Sequence, residues 1–301
     1  MRVVAALGGN ALIRRGQRAD ADVQRANLAV ATRALAALAR EHELIVTHGN
    51  GPQVGLLALQ TEAYQGASPY PLDVLGAESE GMIGYMLEQG LENELPGRRV
   101  ATLLTQVLVD PADPAFQNPS KPIGPVYDRD QAERLSAERG FSIAPDGACF
   151  RRVVPSPEPL RIIEVDSIRI LVEAGVIVVC AGGGGVPVAA TAGGALVGVE
   201  AVIDKDLAAA LLARALAADV LMLLTDVDAV QDGWGTDHAR PISRASPDQL
   251  RRLGLASGSM GPKAEAAARF AEGGGRAVIA AMQSAPDALA GRAGTSVEQG
   301  P

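Results

Sequence analysis

Short apolar runs that end in glycine recur along the chain, and this pattern constrains the fold more than any other feature. Three such runs are residues 3–7 before Gly8, residues 44–47 before the loop with Gly49, and residues 177–181 before Gly182. Continuous apolar runs of this length are typical of buried parallel strands. Glycines at the carboxyl ends of strands let backbone amides approach a phosphate without a Cβ in the way. The pattern predicts an α/β fold with a ligand at the carboxyl ends of its strands.

The composition agrees with such a sheet and argues against one class of partner. Of the 301 residues, 48% are hydrophobic but only 3% are aromatic, so the core must consist of Ala, Val, Leu and Ile, with helices on both faces of the sheet. The length fits one large unit or two fused lobes. A net charge of −8 without a basic stripe argues against nucleic acid, whereas small anionic substrates remain possible.

Lysine is rare in this chain. Only Lys121, Lys205 and Lys263 are lysines, and the other 24 basic residues are arginines. Asp204 is a good N-cap, which places Lys205 in a first helical turn, where an anion would compensate for the unfavourable macrodipole. Lys263 follows a proline at another helix start, and Lys121 lies between prolines on a stiffened loop. We expect exposed helix starts that supply positive charge for phosphoryl transfer, although chance retention in an arginine-rich chain is the alternative.

Three further segments organise the chain. Residues 73–95 read as a helix whose interior glycines indicate close packing against the sheet or another subunit. Residues 100–109 read as one strand. Residues 110–159 are rich in proline and indicate an excursion from the main fold rather than an independent domain. After the strand at 220–224, Asp226 and Asp228 are candidates for binding a ribose or a metal, or for capping a turn.

Other nucleotide-binding classes fit poorly. The loop at 49–55 has the spacing G-x-G-x-x-x-G with a proline inside it, which argues against a dinucleotide site. No Walker A sequence or protein-kinase signature is present. His48 is a lone histidine, which we interpret as a hydrogen-bonding residue rather than a catalytic base.

The cysteines and one long uncharged segment bear on location. Cys149 and Cys180 form no disulfide framework, so we expect two buried thiols in a reducing compartment. Residues 174–199 are uncharged and long enough to span a bilayer. They contain eight glycines and Pro187, which favours strand-loop-strand. With Met1 leading directly into an apolar strand, we expect a cytoplasmic protein without a signal peptide or membrane helix.

Eight segments together resemble the carbamate kinase family, which has the amino-acid-kinase fold. The resemblance covers nearly the whole chain in order. The segments are residues 6–12 (ALGGNAL), 47–55 (THGNGPQVG), 118–125 (NPSKPIGP), 151–157 (RRVVPSP), 181–187 (AGGGGVP), 199–206 (VEAVIDKD), 224–228 (LTDVD) and 258–263 (GSMGPK).

The resemblance implies a three-layer αβα sandwich around a mainly parallel sheet, with a small protruding subdomain at about 118–155. Residues 1–301 would form a single domain, in which about 1–203 bind carbamate or carbamoyl phosphate and about 204–301 bind ADP or ATP with Mg²⁺. The implied activity is reversible phosphoryl transfer between carbamoyl phosphate and ADP by a homodimer. Because carbamoyl phosphate is a reactive acyl phosphate, we expect net ATP formation in a catabolic route, and arginine or purine breakdown would both fit. An enzyme of the same fold acting on another small carboxylate or phosphonate, or a silent nucleotide-binding protein, is the alternative.

The resemblance also assigns roles to matching residues. Lys205 and Lys263 would neutralise the transferring phosphoryl group, and Lys121 would close over the substrate. Asp206 would organise the lysines, with Asp204 the less favoured choice. The substrate would be held by Gly8, Gly9, Asn10, Gly49, Asn50 and Gly51. The nucleotide would contact Thr225, Asp226, Val227, Trp234, Met260 and Gly261, with Trp234 replacing an aromatic residue that follows asparagine in the family. No residue is expected to bind a metal directly.

Overall fold

The computed structural model describes residues 1–9, 12–13, 17–18, 20–64, 66–255 and 260–300. Its strands, in chain order, are β1 (Arg2–Leu7), β2 (Glu43–His48), β3 (Val100–Thr102), β4 (Gln106–Leu108), β5 (Lys121–Tyr127), β6 (Ser142–Asp146), β7 (Cys149–Val154), β8 (Arg161–Ile162), β9 (Ile177–Val179), β10 (Val186–Ala190), β11 (Leu196–Gly198), β12 (Val220–Thr225), β13 (Gln231–Asp232), β14 (Arg240–Pro241), β15 (Arg244–Ala245), β16 (Arg276–Ala281) and β17 (Thr295–Val297).

Helices connect most of the strands of the main sheet. They are α1 (Ala21–Ala39), α2 (Gly51–Ala63), α3 (Leu72–Glu94), α4 (Arg129–Arg139), α5 (Val165–Glu173), α6 (Lys205–Ala215), α7 (Pro247–Arg252), α8 (Met260–Glu272) and α9 (Ala285–Leu289). Short 3₁₀ turns lie at Pro114–Phe116, Gly182–Gly184 and Met282–Ser284.

The main sheet has eight strands in the order β15-β17-β16-β12-β1-β2-β9-β3. The six strands from β16 to β3 are parallel to their neighbours, and β17 runs antiparallel to β16. Both faces are buried, because Val4 and Ala6 of β1 pack in one core with α5, α6 and α8, while Val3 and Leu7 pack in the other with α1, α3 and α9. The predicted three-layer αβα sandwich is confirmed.

The prediction of a single strand at residues 100–109 is wrong. The segment forms β3 in the main sheet and β4 in a second sheet of order β11-β10-β4-β8. The chain changes sheets at Thr105, whose backbone N–H donates to the Glu80 carboxyl group at 3.1 Å and whose carbonyl accepts from Val186 N at 2.8 Å. The break between the two strands depends on Glu80 of α3, which is distant in the sequence, so the residues around position 105 alone do not predict it.

Residues 121–154 form a separate unit consisting of the antiparallel sheet β5-β7-β6 and α4. It rests on α2, where a Cβ added to Gly55 would lie 2.0 Å from Gly124 Cα. Glu62 of α2 also pairs with Arg139 of α4 and, at 3.2 Å, with Arg152 of β7. Contrary to the loop prediction, Lys121 is the first residue of β5, where it pairs with Val154 of β7.

Helix α3 follows the predicted bounds of 73–95 closely, and its glycines are of two kinds. A Cβ on Gly84 would lie 2.2 Å from the Thr102 methyl carbon, so this glycine permits close packing on the sheet. A Cβ on Gly76 or Gly81 would meet nothing within 4 Å. Gly76 and Gly81 therefore leave an open surface along the helix.

Residues 174–199 form β9, the glycine turn, β10 and β11, as strand-loop-strand predicts. Among the helices that the structure describes, none combines the length and the apolarity needed to cross a membrane. Cys180 is buried as expected, and burial raises the pKa of its thiol, but Cys149 on β7 is partly exposed, contrary to prediction.

Candidate active site

Glycine loops from neighbouring strands meet at the carboxyl edge of the main sheet. Gly8 N donates to Leu224 O at 2.8 Å, and Gly49 N donates to Leu7 O at 3.1 Å, so each loop continues the strand pairing. A Cβ on Gly49 would lie 3.3 Å from Gly9 N and 3.1 Å from Lys205 Cδ. The absence of this Cβ lets the Lys205 side chain pass between the loops.

The N-terminus of α6 carries the predicted cap. The Asp204 side chain accepts hydrogen bonds from Asp206 N at 2.9 Å and Leu207 N at 3.2 Å, which satisfies two amides of the first turn. Its other oxygen accepts from Lys121 Nζ at 2.5 Å. Asp204 therefore fixes the start of the helix and also holds the subdomain lysine.

Asp206 joins the other two lysines. Its Oδ1 accepts from Lys205 Nζ at 2.5 Å and its Oδ2 accepts from Lys263 Nζ at 3.0 Å. Asp206 thus contacts two of the lysines, and Asp204 contacts the third. We call the side chains of Lys121, Lys205, Lys263, Asp204 and Asp206 the lysine–aspartate cluster.

The lysines at the two helix starts are largely covered, so the prediction of exposed helix starts is wrong, whereas 28% of the Lys121 side chain is exposed. Only 12% of the Lys205 side chain and 8% of the Lys263 side chain is exposed. Helices α6 and α8 pack against each other above the sheet, which covers the first turns that carry these lysines. Burial of this kind makes each charge depend on its partner.

Charge in the cluster follows from this burial. Burial lowers the pKa of Lys205 to about 8, although Asp206 opposes the shift. Burial alone would raise the pKa of Asp206, but the two lysines outweigh it and hold this pKa well below its usual range. Burial also opposes the charge of Lys263, yet Asp206 raises the pKa of this lysine. Near neutral pH the Lys205 and Lys263 ammonium groups thus share the single Asp206 carboxylate, which leaves an excess positive charge among these three side chains.

A four-glycine turn closes the site beside β2. Gly183, Gly184 and Gly185 have φ values of 67°, 98° and 86°, in the region that favours glycine. A Cβ on Gly182 would lie 2.4 Å from the His48 ring, and one on Gly183 would lie 2.2 Å from the Asn50 amide nitrogen. The turn therefore packs directly on the second glycine loop, and only glycine fits.

His48 is fully buried behind this loop, with Nδ1 3.1 Å from Gly49 O. Burial lowers the pKa of His48 to about 4, and Lys205 lowers it further, while the Gly49 carbonyl opposes the shift. The ring is neutral near pH 7. This geometry supports the interpretation of His48 as a hydrogen-bonding residue.

Two consecutive residues of α3 reach the site and were not identified from the sequence. Ser79 Oγ accepts from Asn50 Nδ2 at 2.8 Å, and Glu80 accepts from Gly182 N at 2.7 Å. Glu80 is spaced three and seven residues from the buried Ile83 and Leu87. A carboxylate on the apolar face of a helix is the signal that could have revealed it.

The residues predicted for the nucleotide lie beyond β12 and at the start of α8. Thr225 ends β12, and its hydroxyl donates to Asp226 Oδ1 at 3.1 Å. Val227 follows in the same bend, and Met260 and Gly261 open α8 three and two residues before Lys263. Trp234 lies between β13 and β14 with 68% of its surface exposed. Asn10, Gly258 and Ser259 lie outside the described residues.

The fold and this cluster define a class. A parallel sheet with glycine loops at its strand ends, and a buried set of lysines held by aspartates, is suited to stabilise a transferring phosphoryl group by position and charge. Residues 1–281 match the Amino acid kinase family, and the chain belongs to that family.

Several full-length relatives at about half identity are carbamate kinases, which confirms the predicted resemblance. The carbamate kinase of Haemophilus influenzae is 54% identical over 299 residues, covering 99% of this chain and 96% of its own. The structure of carbamate kinase from Giardia lamblia bound to citric acid has a TM-score of 0.94 at 40% identity, covering 99% of this chain and 98% of its own. The same Giardia enzyme bound to AMP-PNP has a TM-score of 0.90 at 39% identity, with the same coverage.

Proposed function

We propose that this protein catalyses the reversible transfer of a phosphoryl group between carbamoyl phosphate and ADP, giving carbamate and ATP. The observation that carries the proposal is the lysine–aspartate cluster at the junction of the two glycine loops. Full-length relatives that are carbamate kinases support the choice of substrate.

The reaction needs position and charge more than covalent help from the protein. The bond between phosphorus and the carbamate oxygen breaks while a terminal oxygen of ADP forms a new bond to phosphorus from the opposite side. Lys205 and Lys263 stabilise the negative charge on the phosphoryl oxygens, and Asp206 keeps both ammonium groups aimed at them. Because this charge is fixed before substrate arrives, little reorganisation is needed during transfer.

The two glycine loops bind the two ends of the substrate. Gly9 and Asn10 contact phosphoryl oxygens, and Gly8, whose N–H is paired with Leu224 O, holds this loop against the substrate. Gly49, Asn50 and Gly51 hold the carbamoyl end. Lys121 closes over the substrate from the subdomain at about 118–155. Its ion pair with Asp204 supports this role, because it brings β5 against the N-cap of α6.

The nucleotide occupies the half of the chain at about 204–301. Thr225, Asp226, Val227, Met260 and Gly261 line its pocket, and Trp234 stacks on the base. The Giardia relative was bound to AMP-PNP, an adenine nucleotide, which supports this choice. Mg²⁺ enters as part of the nucleotide substrate, since magnesium in such sites is held largely by phosphates and water. The Asp206 carboxylate, already engaged by two lysines, remains an organiser of the cluster.

Three broader features complete the proposal. The protein forms a homodimer through α3, where Gly76 and Gly81 leave an open surface and Tyr85 is exposed. It works in the cytoplasm, where ADP is available. It runs in the ATP-forming direction in arginine or purine breakdown, because carbamoyl phosphate is a reactive acyl phosphate.

The direct test is ATP formation from ADP, Mg²⁺ and carbamoyl phosphate by the folded protein, with acetyl phosphate as a competing donor. We expect rapid ATP formation with carbamoyl phosphate and little with acetyl phosphate. ATP formation only with another acyl phosphate would favour an enzyme of the same fold with a different substrate. Saturable ADP binding without ATP formation from any donor would refute the proposal and support a silent nucleotide-binding protein.

A further inference from the structure

Glu80 is a carboxyl group buried in the middle of α3, only 1% exposed. One of its oxygens accepts from Gly182 N at 2.7 Å and the other accepts from Thr105 N at 3.1 Å. Gly182 follows β9 and Thr105 follows β3, so this side chain holds the carboxyl ends of two neighbouring strands. Burying a carboxyl group is costly, and one with two buried backbone donors indicates that their positions matter.

Ser79, the preceding residue, acts on the adjacent loop. Its Oγ accepts from Asn50 Nδ2 at 2.8 Å and donates to Gly76 O at 2.8 Å. The Asn50 amide is therefore held by Ser79 and also packs against Gly183, which leaves no room for a Cβ. Two successive residues of one helix thus fix two loops that touch each other.

We infer that Ser79 and Glu80 are positioning residues that set the geometry of the loops for the carbamoyl end of the substrate. The inference rests on the proposed function of the same site. Neither side chain touches the lysine–aspartate cluster through a hydrogen bond found in the described residues. Their loss should therefore weaken binding of carbamoyl phosphate while ADP binding is retained.

The sharpest variant is Glu80→Gln. Glutamine keeps the size of the side chain but converts one of its two oxygens into an NH₂ donor, which then faces a backbone N–H whichever way the amide is turned. Glu78→Gln is the matched control, because Glu78 is an exposed residue on the same helix. Ser79→Ala is a milder variant that removes only the partner of Asn50.

For Glu80→Gln we expect the KM for carbamoyl phosphate to rise about 10-fold or more and the KM for ADP to stay within about 2-fold. For Ser79→Ala we expect a rise of about 3-fold in the former alone. Hydrogen–deuterium exchange, which needs no substrate, should become faster at Gly182 and Thr105 in Glu80→Gln. Glu78→Gln should match the wild-type protein in all three measurements.

The kinetic results distinguish a failure of this inference from a failure of the proposed function. Wild-type turnover with an unchanged KM for carbamoyl phosphate in both variants would overturn this inference alone. Equal rises in both KM values would also overturn it, because they would show a general loss of structure. If the wild-type protein forms no ATP, the proposed function fails and the inference fails with it. If Glu80→Gln does not fold, Ser79→Ala decides between these outcomes.

Discussion

Lys121 Nζ donates to Asp204 Oδ2 at 2.5 Å, joining two residues that are 83 positions apart. Lys121 begins the first strand of the subdomain, and Asp204 caps the helix that carries Lys205 and Asp206. The contact therefore connects the subdomain to the cluster through a single carboxylate that also stabilises the helix. The two roles of this carboxylate can be separated by substitution.

Asp204→Asn should keep the cap but lose the charge that holds Lys121. An asparagine oxygen still accepts from the amides of Asp206 and Leu207, so stability should change by less than about 0.5 kcal/mol. Asp204→Ala should cost about 1 kcal/mol or more, because the cap is lost. We expect both variants to raise the KM for carbamoyl phosphate by about 10-fold. Urea denaturation measures the change in stability, and steady-state kinetics measure the change in KM. If Asp204→Asn lost as much stability as Asp204→Ala, the cap and the contact with Lys121 would not be separable roles of this side chain.

Asp206→Asn should be the most destabilising single change in the cluster. It removes the carboxylate that accepts from both Lys205 and Lys263, and the loss of such a buried partner is expected to cost about 3 kcal/mol or more. The double variant with Lys263→Met removes one of those charges and should recover part of the loss. Urea denaturation of the single and double variants measures this coupling. Additive losses would show that the three charges do not act as a unit.

Gly55→Ala should disturb the subdomain. The added methyl would lie 2.0 Å from Gly124 Cα, a backbone contact that cannot move without shifting β5 and Lys121. We expect a loss of about 10-fold or more in kcat/KM for carbamoyl phosphate, because a displacement of about 1 Å is enough for such an effect. Gly193→Ala, where an added methyl would have only the Thr191 hydroxyl oxygen within 4 Å, at 3.9 Å, is the control. Equal kinetics in the two variants would show that the glycine contact does not position Lys121.

Activity should fall as pH rises through about 8. The pKa of Lys205 is lowered to about 8 from a usual value of 10.5, so the free enzyme loses a positive charge in this range. The free energy of unfolding should instead rise between pH 8 and 10.5, because in this range the unfolded chain binds more protons than the folded chain. The alkaline limb of kcat/KM and the thermal midpoint over the same range measure both signs. A kcat/KM that stays constant to pH 10 would contradict the assignment of this lysine.

Local features of the sequence were sufficient for much of the fold. Each of β1, β2, β12 and β16 contains an uninterrupted apolar run of three or more residues, and the cap at Asp204 depends only on residues next to it. The break between β3 and β4 could not be predicted, because it depends on a hydrogen bond from Thr105 to Glu80.

In the site, too, features that depend on neighbouring residues could be predicted and those that depend on distant contacts could not. The three lysines could be identified from their rarity and from their positions near prolines and helix starts. Their burial could not, since it depends on how α6 and α8 pack together. The pairing of Lys121 with Asp204 and of Lys263 with Asp206 joins residues far apart in the chain, and only the folded structure brings them together.

The turnover of Lys263→Met is the sharpest test of whether the lysine–aspartate cluster stabilises the transferring phosphoryl group. Methionine keeps much of the buried stem and removes the charge, so the fold should survive while stabilisation of the transferring phosphoryl group is lost. We predict that kcat falls about 10²- to 10³-fold. We also predict that the Kd for ADP, measured by calorimetry, stays within about 3-fold. Arg214→Met, at the exposed end of α6, should leave both unchanged. A folded Lys263→Met protein whose kcat stays within about 3-fold of the wild-type value would contradict the account, because a donor to the transition state should cost far more.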